Sequence, residues 1–139
     1  MKYLKQILIV FSLMLFGCSS AIKIAEALKT KHISGLRNGK DYIDYTLKIN
    51  AKNRFQFKEL SVNGAIIKKS LYVKNLATGL SSTKISDSYA EGSYIFGFRI
   101  FDVENFKDEE ILTFQYLMNS KEYSIETPID LNRKIANNK

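Results

Sequence analysis

The chain has 139 residues, room for one domain, and its 45% apolar and 12% aromatic content is that of a folding chain rather than a disordered one. A single Cys excludes a disulfide framework, and a single His excludes most histidine-based metal sites. The net charge of +7 directs attention to where the basic residues gather.

Lys2 and Lys5 precede an apolar run, Ile7 to Phe16, broken only by Ser12. At about ten residues it is half the roughly 20 that a spanning helix needs. Its length and flanks are those of a signal-peptide hydrophobic region. The next residues, Leu15-Phe16-Gly17-Cys18-Ser19-Ser20, resemble the lipobox of bacterial lipoproteins, with Phe16 standing where a small residue is usual. The resemblance implies a diacylglycerol thioether on Cys18, cleavage before it, and acylation of the new amino group by a chain such as palmitate. Residues 1–17 are then a signal peptide, and loss of Lys2 and Lys5 lowers the net charge from +7 to +5. By the same resemblance, Ser19 in the place of an Asp implies the outer membrane. The absence of acidic residues from Ser19 to Lys23 points to its periplasmic face.

Residues 18–40 read as the lipidated Cys followed by a tether or short helix, because Ala21, Ile24, Ala25 and Leu28 recur at helical spacing. Asn38-Gly39 is a turn signal, and the first strand is expected just after it. From Tyr42 to Ala51 the apolar residues Ile43, Tyr45, Leu47 and Ile49 alternate with Asp44, Thr46, Lys48 and Asn50, the pattern of a half-buried strand. Phe55 and Phe57 share one phase and Leu60 and Val62 the other, so a bulge near Lys58-Glu59 is needed. Asn63-Gly64 makes a hairpin turn, and Ala65 to Lys74 reads as the return strand.

Residues 75–92 read as a long loop with a short edge strand near Lys84 to Ser88. Gly92 opens a strand in which Tyr94, Phe96, Phe98 and Ile100 share a face. An acidic connection spans Asp102 to Glu110. Leu112, Phe114, Tyr116 and Met118 then alternate, Asn119-Ser120 turns the chain, and Glu122 to Thr127 returns until Pro128 stops it. Residues 129–139 are expected to be a flexible basic tail.

About six or seven strands with hairpin turns and no alternating helices predict an all-β fold. The expected architecture is an antiparallel two-sheet β-sandwich, immunoglobulin-like, over residues 41–128. Aromatic residues take the place of the missing disulfide in its core. Over most of residues 41–127 the layout resembles small β-sandwich lipoproteins of bacterial envelopes.

Candidate chemistry is sparse. His32 reads as a solvated linker residue far in sequence from any carboxylate, and Cys18 is committed to lipid, so neither a Cys–His pair nor a Ser–His–Asp arrangement is signalled. The carboxylates between Asp102 and Glu110 lack the spacing and turn glycine of a calcium loop, and read as a solvated connection. Phe96-Gly97-Phe98 partly resembles an RNA-recognition strand but lacks the basic-Gly pair before it, and reads as core. Lys52, Arg54, Lys58, Lys68, Lys69 and Lys74 are expected on two neighbouring strands and their turns, forming a basic sheet face open to an acidic protein, an anionic glycan or lipid head groups.

These readings add up to a membrane-anchored envelope lipoprotein whose sandwich is non-catalytic and serves protein interaction or assembly. It needs no cofactor or metal, binds no nucleic acid, and has an envelope protein as partner. A glycan- or lipid-binding module using the basic face is the alternative, and a carboxylate-based enzyme a third.

Overall fold

The computed structural model describes residues 20–35, 37–101, 107 and 109–130. Strands in chain order are β1 (Ile22–His32), β2 (Tyr42–Ala51), β3 (Gln56–Val62), β4 (Ala65–Ile66), β5 (Tyr72–Asn75), β6 (Ser81–Ser82), β7 (Gly92–Ile100), β8 (Glu109–Met118) and β9 (Lys121–Asp130). They form a five-stranded sheet, β1-β2-β7-β5-β6, and a four-stranded sheet, β4-β3-β8-β9. Every ladder is antiparallel. Apart from the two-residue β6, this is the A-B-E-D and C′-C-F-G strand order of an immunoglobulin sandwich.

The alternation read from the sequence builds the core. Ile43, Tyr45, Leu47 and Ile49 of β2 pair with Ile100, Phe98, Phe96 and Tyr94 of β7, so the two inward sets lie side by side. Phe96 meets Phe114 of β8 edge-on at 5.1 Å between ring centroids and stacks on Phe57 of β3 at 5.0 Å, joining the sheets. Each large side chain so buried contributes roughly 1.5–3 kcal/mol. The expected bulge is present in β3, where the register with β8 shifts between Phe57 and Glu59. Both tight hairpins have two successive residues with positive φ, Asn63 (48°) and Gly64 (82°), then Asn119 (51°) and Ser120 (61°). That geometry matches the right-handed twist of the strands each one joins.

Five expectations are corrected. Within the expected tether or short helix of residues 18–40, Ile22–His32 is a full edge strand. The residues at helical spacing do not share a face: Ile24 is inward, Ala25 is the exposed bulge and Leu28 pairs with the outward Thr46. Ile22, Ile24, Ala27 and Lys29 pair with Ala51, Ile49, Leu47 and Tyr45, and the bulge at Ala25 turns a period of two into a run of offsets two, three and two. The single return strand 65–74 is two strands in different sheets, separated by a crossover in which Ser70 has a φ of 60°. Lys84 to Ser88 forms no strand, and Tyr89 instead bridges to Phe55. The acidic connection ends earlier than expected, since Glu109 and Glu110 open β8.

Finally, Pro128 does not stop β9. It pairs with Ile111, whose amide donates to Asn63 Oδ1 and whose carbonyl accepts from the Asn63 amide, both toward β3. The Pro128 nitrogen therefore lies on the free edge, where a missing N–H costs no ladder bond and discourages pairing with another strand. Residues 1–17, Cys18 and residues 131–139 lie outside the described residues, as do most of Asp102 to Asp108.

Among the described residues one charged side chain enters the interior. Lys29 points inward from β1 and is fully buried. Its Nζ lies 2.6 Å from Glu110 Oε2 of β8 and also donates to the carbonyl of Lys107. The Tyr45 hydroxyl donates to the same Glu110 oxygen at 2.6 Å. Burial first, then the hydrogen bond to Glu110 and its charge, push the Tyr45 phenol well above the ordinary tyrosine range. Among the described residues no buried side-chain nitrogen or oxygen lacks a partner.

Candidate binding surface

The outer face of the five-stranded sheet collects side chains that are distant in sequence. Because β2 pairs with both β1 and β7, the outward residues His32, Tyr42, Asp44 and Arg99 fall together near the end of the sheet where β1 and β7 finish. Asp44 is the hub. Arg99 grips it with two nitrogens, Nε to Oδ1 at 2.9 Å and a terminal nitrogen to Oδ2 at 3.4 Å. His32 Nε2 lies 3.2 Å from Asp44 Oδ2. That hydrogen-bonded carboxylate is the main reason the Arg99 guanidinium is raised above its ordinary range.

Aromatic rings pave the same area. His32 and Tyr42 stack at 4.6 Å, Tyr42 meets Phe101 at 5.8 Å, and the Arg99 guanidinium carbon sits 4.1 Å from the Tyr42 ring centre. Such a cation over an aromatic face contributes about 0.5–1 kcal/mol at an exposed site. Ile33 is 75% exposed and Phe101 52% exposed at this end.

Beside the patch is a recess of about 280 Å³ walled by Asp44, Ser70, Tyr72, Arg99 and Phe101. Tyr72 reaches over Gly97, its partner in the β5–β7 ladder. A Cβ at Gly97 would come within 2.3 Å of the Tyr72 ring, so only glycine admits the ring at that height. Burial is the main cause raising the Tyr72 phenol above its ordinary value; Asp44 adds to the rise and Arg99 opposes it.

The basic residues expected to share one face do not. Lys58 lies on the outside of the four-stranded sheet, in an ion pair with Glu122 at 2.7 Å. Lys74 lies on β5 in the opposite sheet, next to the inward Val73. Lys68 and Lys69 occupy the crossover between the sheets, while Lys52 and Arg54 sit in the β2–β3 turn. The expectation assumed that the strands on either side of Asn63-Gly64 stay neighbours, and the crossover separates them.

His32 is likewise not a solvated linker residue. It closes β1 with a ring partner and a carboxylate partner. The one available sequence signal for the patch was the outward phase of Asp44 and Arg99 in two strongly alternating strands.

Among the described residues no group of three His, Cys, Asp or Glu side chains is placed to hold a metal ion, and no helix is long and apolar enough to cross a membrane. The strand order defines the class, an immunoglobulin-like β-sandwich. No protein-family model, curated protein or solved structure matches the chain.

Proposed function

We propose that the protein is a non-catalytic envelope module, anchored through lipid on Cys18, that binds another protein through the patch around Tyr42, Arg99 and Phe101. The observation that carries the reading is the patch itself: the exposed ring of Phe101 against the half-buried ring of Tyr42, and an arginine held in fixed geometry by Asp44. Aromatic and arginine side chains dominate the energetics of protein interfaces, and an arginine whose rotamer is already fixed loses less entropy on binding.

On the anchor reading, the direction of β1 sets the orientation of the patch. Ile22 is four positions after Cys18, and the strand carries the chain ten steps to His32. At about 3.3 Å per step, the patch stands roughly 33 Å from the end of the sandwich nearest the anchor. The binding surface then faces away from the membrane.

The test is a photo-crosslinking residue placed at Phe101 in intact cells, with Lys58 as the control position. A discrete adduct from Phe101, lost on Tyr42→Ala and not formed from Lys58, is expected. Equal capture from both positions, or none from Phe101, overturns the patch. In the same cells Cys18→Ser should move the protein from the membrane to the soluble periplasmic fraction; wild-type protein recovered soluble and without lipid overturns the anchor.

The recess beside Tyr72 favours a second reading, a glycan ring held between Tyr72 and Phe101. Saturating chemical-shift changes at Tyr72 on titration with oligosaccharide would support it.

A further inference from the structure

The end of the sandwich where β1 begins carries a second recess, of about 280 Å³, between the β2–β3 turn and the β8–β9 hairpin. We infer that this recess is a seat for the phosphate-bearing head group of an anionic phospholipid, which holds the sandwich directly against the bilayer. The inference rests on the anchor reading of Cys18 and adds to it a site, a ligand class and an orientation.

The chemistry of the lining fits an anion. Arg54 supplies a cation, Gln56, Ser88, Asn119 and Ser120 supply neutral donors, and the buried ring of Phe55 forms part of the apolar lining. No carboxylate lines the recess; Asp87 and Glu91 lie on the flanking connection and are not part of it. Arginine recognises phosphate with paired, charge-assisted hydrogen bonds, and hydroxyl and amide donors complete such a shell. Lys23, Lys52 and Lys121 are exposed around the same end and add positive charge near the rim.

The position of the recess makes a lipid its natural occupant. The Lys52 amide donates to the Ala21 carbonyl at 2.8 Å, which pins the chain entering β1 to the turn that holds Arg54. From Cys18 to Ala21 there are three residue steps, at most about 11 Å of extended chain. A lipid on Cys18 therefore has no stalk, and this end of the sandwich sits at head-group depth.

The test uses the full-length protein purified from membranes and reconstituted in nanodiscs of phosphatidylcholine alone or with phosphatidylglycerol. Hydrogen exchange is followed in the segments 50–58 and 117–123. Exchange in both segments should slow about fivefold with phosphatidylglycerol, the effect of roughly one cation at an anionic surface. Arg54→Gln should abolish the slowing and Lys74→Gln, on the outer sheet face, should leave it. Equal exchange in the two kinds of disc, or slowing that survives Arg54→Gln, overturns the seat. Slowing by inorganic phosphate in phosphatidylcholine discs reassigns the recess to a soluble anion and overturns the lipid. Mass spectrometry of the Cys18 peptide from the same sample separates the two readings. A lipid adduct with an indifferent recess leaves the anchor and removes the seat, whereas a responsive recess without an adduct removes the anchor.

Discussion

The buried group at Lys29 makes the sharpest energetic prediction. Glu110→Leu leaves a fully buried ammonium facing a hydrophobic side chain, with its ion-pair partner gone. Breaking a buried pair from one side costs about 3–5 kcal/mol. Lys29→Met is milder. The Glu110 side chain is 10% exposed and still accepts from Tyr45, so the orphaned carboxylate keeps one strong hydrogen bond and some water. A loss of about 2–3 kcal/mol is expected, the scale of a hydrogen bond to a charged group.

The joint change Lys29→Met with Glu110→Leu removes both charges and leaves two neutral groups short of a partner, the Tyr45 hydroxyl without its acceptor and the carbonyl of the exposed Lys107 without the Lys29 donor. That costs about 1–2 kcal/mol, far less than the two single losses together. Urea unfolding, with midpoints compared at constant slope, gives all three values. Additive losses would refute the reasoning, because they would mean that Lys29 and Glu110 do not stabilise each other across the sandwich.

Alkaline pH gives a second handle. Burial raises the Tyr45, Tyr72 and Tyr116 phenols in the folded chain, whereas unfolded tyrosine ionises near pH 10. Their contribution is thus complete below about pH 10 and is lost as pH climbs through the folded values; urea midpoints should fall above pH 10, less steeply in Tyr45→Phe. Phe98→Ala should cost about 3–5 kcal/mol, because the ring is buried and stacked on Tyr45. Arg99→Ala, an exposed pair, should cost under about 1 kcal/mol, and equal losses at the two positions would invert the assigned strand phase. Gly97→Ala should lift Tyr72 off the sheet and destabilise by about 1–3 kcal/mol, as overpacking does; an unchanged Tyr72 ring resonance would contradict the close approach.

What was legible in the sequence divides along physical lines. β2 and β7 were readable to the residue, because each buries one face without interruption and its side chains keep strict period two. The β3 bulge was readable because strong hydrophobes flank it on both sides and show the phase slip. β1 was hidden by two local features, the bulge at Ala25 and an inward position occupied by Lys29. A lysine at a core position reads as a surface residue until the partner that neutralises it is known, and Glu110 is more than eighty positions away. The patch was hidden for a related reason. His32, Asp44, Tyr72 and Arg99 each look ordinary alone, and only the β1–β2, β2–β7 and β5–β7 registers bring them together.

Strand direction then decides which end can do what. β1 starts at one end of the sandwich and β2 returns to it, so the β2–β3 turn carrying Lys52 and Arg54 lies beside Ala21 and Ile22. β3 runs away from that end to Asn63 and β8 runs back from Ile111 beside it, which brings Asn119-Ser120 to the end where β1 starts as well. β7 starts at Gly92 opposite Ala51 and ends at Ile100 opposite Ile43, so Arg99 and Phe101 must lie at the far end with His32 and Tyr42. A tether or helix in place of β1 would have left both ends free to face either way. One added edge strand instead puts the polar, arginine-lined recess at the end where β1 begins and the aromatic patch at the end where β1 finishes. The two proposed contacts can therefore be occupied together without competing for surface.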